Sequence, residues 1–165
     1  MSEATLLDHS IQQLVLANRV LANENVIDGF GHVSVRHPTN PDRFLLSRSR
    51  SPEVVTRDDI MEFELDGTLV SDDPRRPYAE RFIHGTIYMA RPDVNSVSHH
   101  HAHAVIPFSM TDVPLRPAFH MGSSTSSIAL NARSCVPSPK MVSGSPTRCL
   151  YIQIPKTLRY ESQRF

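Results

Sequence analysis

His99-His100-His101-Ala102-His103 is the stretch on which the reading of this 165-residue chain turns, and five of its nine histidines fall between His84 and His103. The preceding Val94-Asn95-Ser96-Val97-Ser98 favours a β-strand and follows the helix stop Arg91-Pro92-Asp93, so a strand is predicted to run into the histidines. Side chains alternate along a strand, which puts His99, His101 and His103 on one face and His100 on the other. Two imidazoles so spaced are half of a divalent-metal site. Upstream, a helix expected over roughly Tyr78 to Ala90 carries Glu80 and His84 one turn apart on one face. A carboxylate beside a histidine pair is the donor set of a catalytic metal centre. The rival reading is a solvated histidine loop, and the Glu80/His84 pair weighs against it.

Working outward, Leu7, Ile11, Leu14, Val15, Asn18 and Leu21 follow helical spacing behind a Ser2 N-cap. Only Asn18 breaks the apolar stripe of a first helix predicted to end near Asn25. Val33 to His37 and Phe44-Leu45-Leu46 read as a hairpin, and Met61 to Val70 as a second one around Asp66-Gly67. Thr56-Arg57-Asp58-Asp59 has N-cap character and starts one helical turn at most. Ser47-Arg48-Ser49-Arg50 reads equally well as an anion-binding loop and as a solvated basic turn. His32, in the loop after Gly31, and His120, after the extended Val113 to Pro117, are lone histidines of a kind more often structural than ligating. His32 is also a candidate to line a pocket.

The length predicts one core, and zero formal charge gives no electrostatic footprint for nucleic acid. No apolar run suits a membrane span, and the absence of a signal-type start makes the cytoplasm the expected compartment. Cys135 and Cys149 form neither a disulfide framework nor metal-type spacing. The charge is split, however. Up to Gly122 there are eleven arginines, no lysine and sixteen acidic residues; beyond it, six basic residues and one acidic. Proline and serine crowd the second part, where only Cys149 to Ile154 reads as a strand. The expected division is a domain over 1–122 and a divergent, poorly ordered tail over 123–165.

The order Gly31-His32-Val33-Ser34-Val35-Arg36, Phe44-Leu45-Leu46-Ser47, Asp66-Gly67, Glu80 four before His84, Arg91-Pro92-Asp93-Val94-Asn95 and then His99/His101 resembles the class II aldolase/adducin family. The likeness covers roughly Leu6 to Gly122. Ser47-Arg48-Ser49-Arg50 and Glu80 to Gly85 resemble its decarboxylase- or oxygenase-like branch.

The resemblance implies a three-layer α/β/α fold with a mixed, mostly antiparallel central sheet, incomplete at the C-terminus, normally a homotetramer. It implies a small-molecule substrate and a divalent metal, zinc first, with iron or manganese as alternatives. His99 and His101 become metal ligands and Glu80 the acid/base residue, which in an empty site can also sit on the metal. His103, His120, His84, His32, Ser47 and Arg48 are further candidates for ligation or substrate contact. The expected reaction is aldol cleavage or decarboxylation through a metal-stabilised enolate. Tyr78 and Ala79 stand where sugar-phosphate-cleaving members carry a serine pair, so a non-phosphorylated hydroxy or keto acid is expected. The family's third ligand, a downstream histidine, has no counterpart after His120, as if the last third had been replaced. A catalytically inactive truncated member and an adducin-head-like binding module are therefore the alternatives.

Overall fold

The computed structural model describes residues 2–107 and the backbone of residues 129–130 and 150–155. The first helix, α1 (Glu3–Asn23), starts where the Ser2 hydroxyl accepts the Thr5 amide at 3.2 Å. It ends two residues before the predicted Asn25, because Asn25 adopts a left-handed conformation at φ 55. The amides of Asn25 and Val26 turn back onto the carbonyls of Ala22 and Leu21, satisfying the end of the helix. The stripe Leu7, Ile11, Leu14 and Leu21 packs on Ile27, Val33 and Leu45. Asn18 does not interrupt that face. It is fully buried, and its amide donates to the Leu14 carbonyl at 2.8 Å.

The strands are β1 (His32–Arg36), β2 (Arg43–Ser47), β3 (Ile60–Glu64), β4 (Val94–His100), β5 (Ala129–Leu130) and β6 (Leu150–Pro155), in the spatial order β3-β2-β1-β4-β6-β5. Every described pairing is antiparallel, so the parallel component expected of a mixed sheet is absent among the described residues. The expected first hairpin is β1 with β2. In the second, β3 meets a return leg that makes a single bridge, Phe63 to Leu69, around Gly67 at φ 83, a conformation suited to glycine. Between β2 and β3, the one-turn Arg57–Asp59 is closed by a reciprocal Thr56/Asp59 cap. The strand read at Cys149 to Ile154 is β6, paired with β4. The proposed boundary at Gly122 lies outside the described residues.

Alternation along the strands separates two apolar clusters. Val33, Val35 and Leu45 face α1, whereas Phe44, Leu46, Met61, Phe63 and Val97 face α2 (Arg81–Ala90) through Ile83, Ile87 and Tyr88. Helix, sheet and helix form three layers, each face burying its own core. Arg36, the last residue of β1, is 4 % exposed and locks α2 to the sheet. Its guanidinium donates to the carbonyls of Pro41, Tyr88, Arg91 and Val94 and lies 4.7 Å over the Tyr88 ring. A cation at the last turn of a helix is also favoured by the helix dipole. No helix among the described residues is long and apolar enough to cross a membrane.

Candidate metal and acid-base site

The β1–β4 register pairs His32 with His99, and their rings stack with centroids 4.8 Å apart. Gly31 allows this approach, because a Cβ there would lie 3.1 Å from the His99 carbonyl oxygen and 2.7 Å from Ile27 Cβ. Glu80 enters from the other side. Helix α2 begins one residue after it, so Glu80 is the N-cap and not part of the predicted helical face. Its Oε2 lies 3.1 Å from His32 Nε2 and its Oε1 3.6 Å from His99 Nε2. One ligand atom from each of His32, Glu80 and His99 falls within 4.8 Å of the others. Both imidazoles are fully buried while Glu80 is one-third exposed, so the carboxylate forms the open side of the cluster.

Charge and burial set the protonation states. The hydrogen bond from His32 lowers the Glu80 pKa below the ordinary carboxylate value; burial opposes it, and nearby His99 and His101 reinforce it. Burial pushes His32 and His99 below the usual histidine value, so both are neutral at neutral pH, the form in which imidazole binds a metal. Complete burial holds His84 well below the usual histidine value too.

The remaining sequence candidates are placed differently. His101 lies beyond the end of β4, so it does not share a strand face with His99; its ring meets the His99 ring edge-on at 4.7 Å. Its Nδ1 is 3.1 Å from Asp28 Oδ2. His103 is exposed in the following turn and outside the cluster. His84 does not join Glu80 on a shared ion. It is buried behind His32, with its Nε2 2.8 Å from His32 Nδ1 and its Nδ1 2.6 Å from Ser34 Oγ. Ser47 is buried, and Arg48 donates to Asp59 at 2.6 Å with Arg50 beside it. His120 lies outside the described residues.

Sequence reasoning assigned Ser34, Tyr88 and Asp28 no place in the site, and read Tyr78 only as the replacement of a phosphate-binding serine. The Tyr78 ring lies 4.2 Å from that of His32, and its hydroxyl donates to the Arg50 carbonyl. Only the alternation of His32 and Ser34 along β1 signalled a shared face.

A model of the class II aldolase and adducin N-terminal domain matches residues 12–144. The chain belongs to the class II aldolase/adducin family. Among curated relatives of this family member, decarboxylase tropJ of Talaromyces stipitatus is 37% identical over 113 residues, covering 67% of this chain and 42% of the relative. The 3,4-dihydroxyphthalate decarboxylase of Arthrobacter keyseri is 31% identical over 116 residues, covering 64% and 46%. The L-fuculose 1-phosphate aldolase from Glaciozyma antarctica has a similar structure, with a TM-score of 0.67 at 26% identity over 75% of this chain and 52% of that one. The chain thus spans less than half the length of the curated relatives it matches. The class II aldolase fold expected from the sequence agrees with this likeness.

Proposed function

We propose that this chain supplies the acid-base and metal centre of a divalent-metal-dependent lyase that breaks a carbon–carbon bond in a small, non-phosphorylated hydroxy or keto acid. The observation that carries this reading is the meeting of the Glu80 carboxylate with the His32 and His99 imidazoles. Neutral nitrogen and anionic oxygen donors fit a divalent ion, zinc first, with iron or manganese also compatible. In the site without substrate His99 and Glu80 would hold it, with a third ligand from His101 or His32, and Glu80 would be free for proton transfer only when off the ion. Such an ion, when bound, polarises a substrate carbonyl oxygen and stabilises negative charge on it.

Glu80 moves the proton. In aldol cleavage its carboxylate takes the substrate hydroxyl proton; the electron pair of the breaking bond passes to the carbon beside the carbonyl, and that carbon receives the proton back. In decarboxylation carbon dioxide leaves that pair behind, and protonated Glu80 supplies the proton. The lowered Glu80 pKa suits the first role, in which the resting group is a base.

A non-phosphorylated acid is supported by the bulk of Tyr78 against His32 and by the pairing of Arg48 and Arg50 with Asp59. The names of the two decarboxylase relatives point toward carboxylic acids. A cytoplasmic homotetramer is the assembly this reading carries, measurable by size-exclusion chromatography with light scattering.

The test is to screen the zinc-loaded chain against hydroxy and keto acids, aromatic ones included, for release of carbon dioxide or aldehyde. Glu80→Gln is expected to lower kcat by about 100-fold or more. Equal turnover in the variant, or no release from any acid, would sink the proposal.

A further inference from the structure

Behind Glu80 runs an unbroken line of contacts that the proposed reaction does not by itself require. Glu80 Oε2 meets His32 Nε2 at 3.1 Å, His32 Nδ1 meets His84 Nε2 at 2.8 Å, His84 Nδ1 meets Ser34 Oγ at 2.6 Å, and Ser34 Oγ meets the Tyr88 hydroxyl at 2.8 Å. The four residues behind the carboxylate are 0 or 1 % exposed. We propose that Tyr88, Ser34 and His84 form a one-way hydrogen-bond chain that keeps the His32 proton on Nε2, making His32 a donor that positions Glu80 and not a metal ligand.

The direction follows from counting protons. An ionised carboxylate only accepts, so His32 Nε2 must donate. A neutral imidazole carries one N–H, which leaves His32 Nδ1 to accept from His84 Nε2. By the same rule His84 Nδ1 accepts from the Ser34 hydroxyl, whose oxygen accepts from Tyr88. Each link then has one donor and one acceptor. Freeing the Nε2 lone pair of His32 for a metal would break its link to Glu80, reverse the other three and turn the Tyr88 proton away from Ser34 inside a fully buried site. An unsatisfied buried donor costs about 1–3 kcal/mol. The third protein ligand must then come from elsewhere, and His101, whose ring lies 4.7 Å from that of His99, is the imidazole placed to supply it.

This inference rests on the reading of Glu80 as the acid-base group, but its test does not need turnover. Long-range proton–nitrogen NMR spectra of the 15N-labelled, chelator-treated chain report which nitrogen of each imidazole is protonated. His32 and His84 are both expected as Nε2–H tautomers at neutral pH, and an Nδ1–H tautomer for His32 overturns the proposal. Ser34→Ala should give mixed His84 tautomers and about a 10-fold or greater fall in kcat with little change in KM, both reversed in Ser34→Thr. Unchanged His84 tautomers in Ser34→Ala count against the chain. Zinc is then added to the wild-type sample. Retention of the His32 Nε2 proton while the His99 signals shift supports the proposal, and loss of that proton to zinc refutes it while leaving the lyase reading intact. If zinc does not bind, the metal reading fails and the tautomers of the metal-free chain still decide the inference.

Discussion

His32 and His99 face each other across the β1–β4 ladder, with rings 4.8 Å apart and the Glu80 carboxylate reaching both. The site is therefore built where an edge of the first hairpin meets the strand that carries the histidine run, and its geometry depends on backbone register. A one-residue slip would move every side chain of one strand to the opposite face.

That dependence makes Gly31 a sensitive position. A Cβ there would press on Ile27 and on the His99 carbonyl, which belongs to backbone that cannot swing away. Gly31→Ala should destabilise the chain by about 1–3 kcal/mol and weaken zinc binding at least 10-fold. Urea unfolding and zinc titration check the two effects separately, and wild-type values for both would mean that the close approach is unimportant.

Arg36 should be the most costly polar residue to remove from the α2 face. Arg36→Met takes a donor from four carbonyl groups, two of them at the end of α2, although the Arg91 carbonyl keeps the Val94 amide. A loss of about 3 kcal/mol is expected, with Arg36→Lys recovering only part because an ammonium cannot span the same fork. A variant within about 0.5 kcal/mol of wild type in chemical denaturation would show that the clamp does not hold the helix.

Asp59 gives a pH dependence remote from the site. Burial pushes its carboxyl up, but donors from Thr56, Arg48 and Arg50 outweigh burial and hold it well below the usual carboxylate range. Because the folded pKa is lowered, its contribution is complete above the unfolded value of about 3.9 and is lost as pH falls through that value toward the folded one. Asp59→Asn, which leaves two arginines without their carboxylate, should cost about 3 kcal/mol at pH 7 and progressively less below about pH 4. The gap between denaturant midpoints of variant and wild type should be constant from pH 7 to about pH 4 and begin to narrow as pH falls below that. Parallel curves would contradict the assignment.

Local signals carried much of this architecture. The 3.6-residue stripe found α1, the Asp-Gly turn found the second hairpin, and β-favouring residues before His99 found β4. His99 and Glu80 were legible for the same reason, since their segments could be read in isolation. What escaped was decided by packing. His32, Ser34 and Tyr88 meet only because β1 pairs with β4 beneath α2, and no short window of sequence contains all three. His101 was read as a strand residue because alternation was extended past His100, where β4 ends. Glu80 and His84 were placed on one helical face, but the helix begins at Arg81, and the two residues reach opposite nitrogens of His32.

Zinc stoichiometry tests the central claim most directly. Equilibrium dialysis of the chelator-treated chain against zinc, followed by metal analysis, should give one ion per chain, lost or at least 100-fold weaker in His99→Ala when folding is verified by circular dichroism. A chain that takes up no zinc, or a folded His99→Ala variant that binds it as tightly as wild type, would contradict the account.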